Sequence, residues 1–209
     1  MSSVLIIGAV RGLVSEGERV YDIIMQNRPD VVGLAISEEG LDAMKEHLDS
    51  TGGKNAELEN LEEVIYVAGL EAFGEVRKPP PCFSKAWTAA KNLTITAEPL
   101  DLNDEQYTNA NCRNISTLEM MTQGRGQRRI VKHQFQATSA QEFVLEFDAV
   151  VNRQKGYRKL EAEREEFMAL RIKKLTQDNQ KVMAVIELER LEGVMKALDV
   201  IGVSYSMPS

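Results

Sequence analysis

Histidine, cysteine and long apolar runs are all scarce in this chain, and each shortage closes off a class of function. Only two of the 209 residues are histidine, His47 and His133. His47 falls on a surface-helix pattern and His133 in a basic stretch that reads as a loop. Neither ends a strand, so an imidazole-based zinc or iron site has little to build on, and no cofactor is expected. Cys82 and Cys112 are the two cysteines, with no metal-ligand spacing between them, which suits a reducing, cytoplasmic setting. Neither has a base near it in sequence, so each reads as a small hydrophobe rather than a nucleophile. No apolar run approaches the ~20 residues of a membrane-spanning helix. Met1-Ser2-Ser3 leads directly into a strand pattern without a basic segment, so no signal peptide is expected. Basic residues are outnumbered, 25 against 32 acidic for a net charge of −7, which gives no global pull toward nucleic acid or an anionic membrane.

What remains is an ordinary globular composition, 43% hydrophobic and 27% charged, long enough for one domain over 1–209. Val4–Val10 is a continuous apolar run of the kind found in buried parallel strands. Ser15 and Glu18 form a capping-box pattern for a helix that Pro29 ends. Asp30–Ile36 reads as a second strand, and Ser37 caps a helix over Glu38–Leu48. Asp49–Asn60 reads as a loop, Leu61–Gly74 as a helix whose apolar run would also suit a strand, and Pro81–Asn92 as another helix. Leu93–Leu100 reads as the third strand and Lys181–Ile186 as the fourth. A helix over Leu191–Leu198 then precedes a last strand, Val200–Tyr205. Strands separated by helices predict an α/β fold with a mainly parallel central sheet flanked by helices.

Between residues 103 and 155 the pattern becomes charged and helical, which predicts a helical insertion. Ser116/Glu119 and Ser139/Glu142 are capping-box patterns there. A long helix over Leu160–Thr176 has Phe167, Leu170, Ile172 and Leu175 as its buried stripe, with Arg164 and Glu165 among solvated positions. Met120, Met121, Phe135 and Phe143 either form a homodimer surface or close the insertion's own core.

Four stretches in order resemble the TraB family, within the wider group of pheromone-shutdown and Tiki-type proteins. They are Val4 through Pro29-Asp30-Val31-Val32-Gly33-Leu34; Gly69–Val76 with Pro79-Pro80; Glu98-Pro99-Leu100-Asp101 with Asp104–Thr108; and Glu161 through Arg164–Ala169 to Gly193. The resemblance implies a metal-dependent hydrolase pattern with a histidine after the first strand, a glutamate after the second and a histidine near the last motif. This chain has Arg11, Ala35 and Arg190 at those places. The family's helix arginine is retained as Arg164, and the C-terminal membrane helices of many members have no counterpart in this sequence.

Arginine at a strand end can hold an anion with a planar fork of donors, but it is neither a base nor a metal ligand. Arg11, Arg164 and Arg190 are therefore candidates for binding a small anionic ligand, with Glu38, Asp101, Glu187 and Glu189 close by in the pattern. The alternative is that these groups pair internally as a salt-bridge network. Asp101 with Glu187 or Glu189 is also a candidate acid/base pair or carboxylate metal site. Gly124–Lys132 is basic but lacks interleaved aromatics, so it reads as a solvated loop rather than a nucleic-acid contact. Gly8-Ala9-Val10-Arg11-Gly12 lacks the third glycine and the ribose-binding acid of a dinucleotide fingerprint. The expected function is a binding or regulatory protein; the alternatives are a carboxylate-based metal hydrolase and an oligomerisation module.

Overall fold

Ser3–Ala9 forms strand β1 because its Val, Leu and Ile side chains can be buried on both faces of a sheet, and only Ser3 is exposed. The computed structural model describes residues 3–51, 55, 58 and 60–208, without the side chains of residues 51 and 123–128. After β1 come α1 (Val14–Asn27), β2 (Val31–Leu34), α2 (Glu38–Thr51), α3 (Leu61–Leu70), α4 (Pro81–Leu93) and β3 (Thr96–Pro99). Four helices follow, α5 (Asp104–Asn114), α6 (Thr117–Lys132), α7 (Ala140–Val151) and α8 (Lys155–Asp178), and then β4 (Lys181–Glu187) and α9 (Leu188–Val200).

The four strands form one all-parallel sheet in the order β1-β4-β2-β3. β4 is buried along its length except for Lys181, which is why it has no apolar/polar alternation. Helices α1 and α4 pack together on one face of the sheet, and α8 and α9 pack together on the other. The chain leaves β1 toward α1 but leaves its neighbour β4 toward α9. Departure to opposite faces from adjacent parallel strands opens a crevice at their carboxyl ends, where α/β sheets hold ligands. A second apolar cluster, with Tyr66, Leu70, Phe143 and Phe147, joins α3 and α7 beside that crevice.

Several expectations are corrected. The proposed last strand over Val200–Tyr205 is absent. Helix α9 runs to Val200, Gly202 turns with φ 71°, and Ser206 makes one bridge to Leu5. The Ser15/Glu18 capping box does not form, because the helix starts earlier, at Val14, whose N–H is satisfied by the Glu75 carbonyl at 2.9 Å. Strands β2 and β3 are shorter than their apolar runs, α3 stops at Leu70, and α2 extends to Thr51. Residues 52–54, 56, 57 and 59 of the expected 49–60 loop lie outside the described residues.

The basic Gly124–Lys132 stretch belongs to helix α6 rather than a loop, because a complete Ser116/Glu119 capping box starts that helix. Arg125 and Arg128, on which its basic character partly rests, have side chains outside the described set. Ser139 caps α7, but Glu142 turns to Thr138 instead of closing the box. Leu170 is exposed, whereas Phe143 is buried in the α3–α7 cluster with Phe135 packed on it. The aromatic part of the proposed dimer surface is thus internal, and Met120 and Met121 are exposed.

Gly17 decides how closely α1 approaches α4. A Cβ there would lie 2.7–2.8 Å from the side chain and backbone of Pro81. Alanine normally stabilises a helix interior by roughly 1 kcal/mol relative to glycine. Gly17→Ala is expected to do the opposite and lower stability by about 1–3 kcal/mol through overpacking, measured by urea unfolding. A stabilised variant would mean that the two helices separate freely.

Candidate functional site

Arg11, Glu187, Glu189 and Arg190 meet because β1 and β4 are in register as neighbours, Ala9 opposite Glu187. Arg11 lies two residues beyond the end of β1. Helix α9 starts directly after β4, at Leu188 rather than the expected Leu191, so Glu189 and Arg190 sit in its first turn. They line a cavity of about 280 Å³ at the crevice, roofed by Phe147 and Asp148 of α7 and bordered by Glu161 and Arg164 of α8. That volume lies at the lower end for ligand pockets and suits a small molecule.

The three arginines occupy different electrostatic positions. Arg190 is buried, with a side chain 5% exposed, and pairs with Asp148, with Glu161 at 3.2 Å and with Glu165 at 3.1 Å. Gly193 permits this closeness of α8 and α9, since a Cβ there would collide with the Glu165 carboxylate. Arg164 makes a forked contact to both oxygens of Asp101 and a 2.7 Å bond to Glu161. Arg11 stands apart. Its side chain is 41% exposed and hydrogen-bonds Glu187 at 3.2 Å; Glu189 lies at 3.9 Å and the Tyr66 ring 4.8 Å beneath the guanidinium.

Among the described residues, six carboxylates surround these three guanidiniums: Asp101, Asp148, Glu161, Glu165, Glu187 and Glu189. Burial disfavours the Arg11 charge, but Glu187, Tyr66 and Glu189 outweigh it and hold the guanidinium firmly protonated. Burial pushes the Glu189 carboxyl up to about 7, reinforced by Glu187 and opposed by Arg11. Burial likewise raises Glu165 to about 7 against the pull of Arg190. Among the described residues, Glu189 Oε2 is buried without a hydrogen-bond partner. Tyr66 faces a second cavity, of about 460 Å³, on the other side of Arg11.

The structure brings together six of the seven expected site residues. Glu38 is the exception: it is exposed on the first turn of α2 and lines neither cavity. Arg164 and Glu165 face inward, contrary to the solvated positions expected for them, because Asp101 beyond β3 and Arg190 on α9 supply them with polar partners there. Sequence reasoning missed Asp148, Glu161 and Tyr66. The i, i+3 and i, i+4 spacing of Glu161, Arg164 and Glu165 was the available signal for Glu161.

The donor set does not fit the metal centre implied by the TraB resemblance. Arg11 and Arg190 do line one cavity, but a guanidinium has no lone pair to give, and Ala35 is a buried methyl at the end of β2. Among the described residues no three His, Cys, Asp or Glu side chains are grouped to hold a metal ion. The Cys82 thiol is buried and its pKa is driven up first by burial and then by Glu187, so it remains protonated. His133 bonds Glu146 at 2.6 Å, away from the strand ends. Among the described residues no helix is long and apolar enough to cross a membrane. No protein-family model matches the chain, and no curated protein matches it.

Arg190→Met strands Asp148, Glu161 and Glu165 without their shared cation. It is expected to cost about 3–5 kcal/mol at neutral pH, with the deficit shrinking in acid as the carboxylates protonate. Urea unfolding at neutral and acidic pH measures this, and a pH-independent deficit would assign Arg190 a packing role.

The folded state also keeps protons on Glu165 and Glu189 that the unfolded chain releases above about 4.5. Their contribution to stability is therefore full below about 4.5 and is lost as pH rises through about 7. Glu165→Gln and Glu189→Gln remove that proton exchange. Each variant should gain stability relative to the unmodified protein across this window, as read from melting temperatures. Parallel curves would contradict the raised carboxyls.

Proposed function

We propose that this protein is a soluble, cytoplasmic binding or regulatory protein of TraB-like type, and that its strand-end cavity receives the anionic group of a small ligand on Arg11. The exposure and spare donors of Arg11 carry this reading. Arg164 and Arg190 are enclosed by carboxylates, whereas Arg11 hydrogen-bonds Glu187 and keeps 41% of its side chain accessible. A guanidinium has five N–H donors and takes carboxylate or phosphate bidentately. The other two arginines act as counter-charges that hold the cavity walls. The Arg11/Ala35/Arg190 pattern supports binding over metal-dependent hydrolysis.

A second reading is acid/base hydrolysis without a metal, favoured by the Glu187/Glu189 pair, of which Glu189 is held up to about 7. It predicts turnover of an ester or amide that Glu189→Gln abolishes. Self-association through α6 is a third reading, supported by exposed Leu118, Met120 and Met121. It predicts a melting temperature that rises with protein concentration.

The binding reading is tested by thermal melting with phosphate, small carboxylates and nucleotides. A ligand at a hundred times its dissociation constant should raise the melting temperature of a chain this long by about 5–10 °C. Arg11→Ala should abolish the shift while leaving the unliganded protein folded. Stabilisation that survives Arg11→Ala, or no stabilisation by any anion, overturns the reading.

A further inference from the structure

The cavity that receives an anion on Arg11 is not itself a cationic site. Its lining sets the five carboxyls of Glu62, Asp148, Glu161, Glu187 and Glu189 beside the four guanidiniums of Arg11, Arg129, Arg164 and Arg190. A simple anion seated on Arg11 would meet the Glu187 carboxylate at close range, and like charges in a partly desolvated pocket are costly. A simple cation would meet Arg11. Glu189 supplies an observation independent of the charge count. Its side chain is only 7% exposed, it lines the cavity, and its Oε2 is buried without a hydrogen-bond partner. An unsatisfied buried acceptor costs about 1–3 kcal/mol, which a ligand donor at that oxygen recovers.

From these contacts we infer that the ligand is a small zwitterion, with a carboxylate and an ammonium separated by one carbon, as in an α-amino acid. This rests on the binding role of Arg11 proposed above. The carboxylate pairs with the free edge of the Arg11 guanidinium, and the ammonium donates to Glu189 Oε2 and the neighbouring Glu187. The protein's own charge pair has a matching spacing: Arg11 Nε and Glu189 Oε1 are 3.9 Å apart. The charged ends of an α-amino acid stand about 3–4 Å apart by covalent geometry. An ammonium also replaces the proton that burial keeps on Glu189, so binding at neutral pH releases a proton.

Titration calorimetry at pH 7 compares the neutral proteinogenic amino acids with propionate, which carries only the anion, and ethylamine, which carries only the cation. The expected result is at least one amino acid binding tenfold or more tightly than propionate, with ethylamine silent. The enthalpy of amino-acid binding should vary with the ionisation enthalpy of the buffer, as proton release requires. This readout needs no variant and holds even if substitutions perturb folding. In Glu189→Gln the amino acid should lose its advantage over propionate together with the buffer dependence, whereas Arg11→Ala should lose both ligands. If propionate binds through Arg11 but no amino acid binds better, the zwitterion inference is overturned and the anion-binding role stands. If nothing binds, both fall.

Discussion

Arg190 is the residue on which the site's geometry depends. Its guanidinium is enclosed by Asp148 from α7 and Glu161 and Glu165 from α8, while the residue itself belongs to α9. One cation thereby ties three helices together. Taking that many charges out of water is expensive, and a hydrophobic replacement of the whole cluster would be at least as stable. The cluster therefore makes more sense as a device for placing walls than as a source of stability. It holds α7 over the strand ends and turns α8 so that Arg164 reaches Asp101 beyond β3. Gly193 belongs to the same device, since the space it leaves is occupied by the Glu165 carboxylate.

The sheet order explains why this charge collects where it does. In β1-β4-β2-β3 the first strand and the last lie side by side, although almost the whole chain separates them. Their carboxyl ends diverge to helices on opposite faces, so the gap between them cannot be closed by a single helix. Side chains from α7 and α8 cover it instead. Arg11 enters from the end of β1, Glu187 from β4 and Asp101 from just beyond β3. Because Arg11 alone of the three arginines has not been surrounded, the fold leaves a guanidinium available at the point where an α/β sheet offers a ligand site.

Much of this frame was legible in the sequence. The apolar runs before Arg11 and Glu187, the helix between Pro81 and Asn92, and the Ser116/Glu119 capping box each have one dominant reading, because burial on both faces or a reciprocal pair of bonds demands that residue pattern. Strand ends were legible less well. Asp30, at the start of β2, carries no apolar burial but accepts hydrogen bonds from the Gln180 and Lys181 N–H groups. The Val200–Tyr205 segment shows the limit in the other direction. Its alternation suits a strand, yet α9 claims Val200 and only Ser206 bridges to β1. The inward face of α8 was illegible for a different reason. Arg164 and Glu165 look solvated by composition, and only partners distant in sequence turn that face inward.

The same difference separates the candidate arginines from one another. Sequence can place arginine at a strand end, but its chemistry depends on how many of its donors are already taken. Arg164 and Arg190 are enclosed by carboxylates, so they behave as fixed counter-ions. A ligand can engage Arg11, which stays 41% exposed, and Glu189, whose Oε2 has no partner among the described residues. Two opposite charges held 3.9 Å apart across the mouth of a crevice can recognise a molecule by charge spacing without activating it, and that favours recognition over turnover as the use of this site.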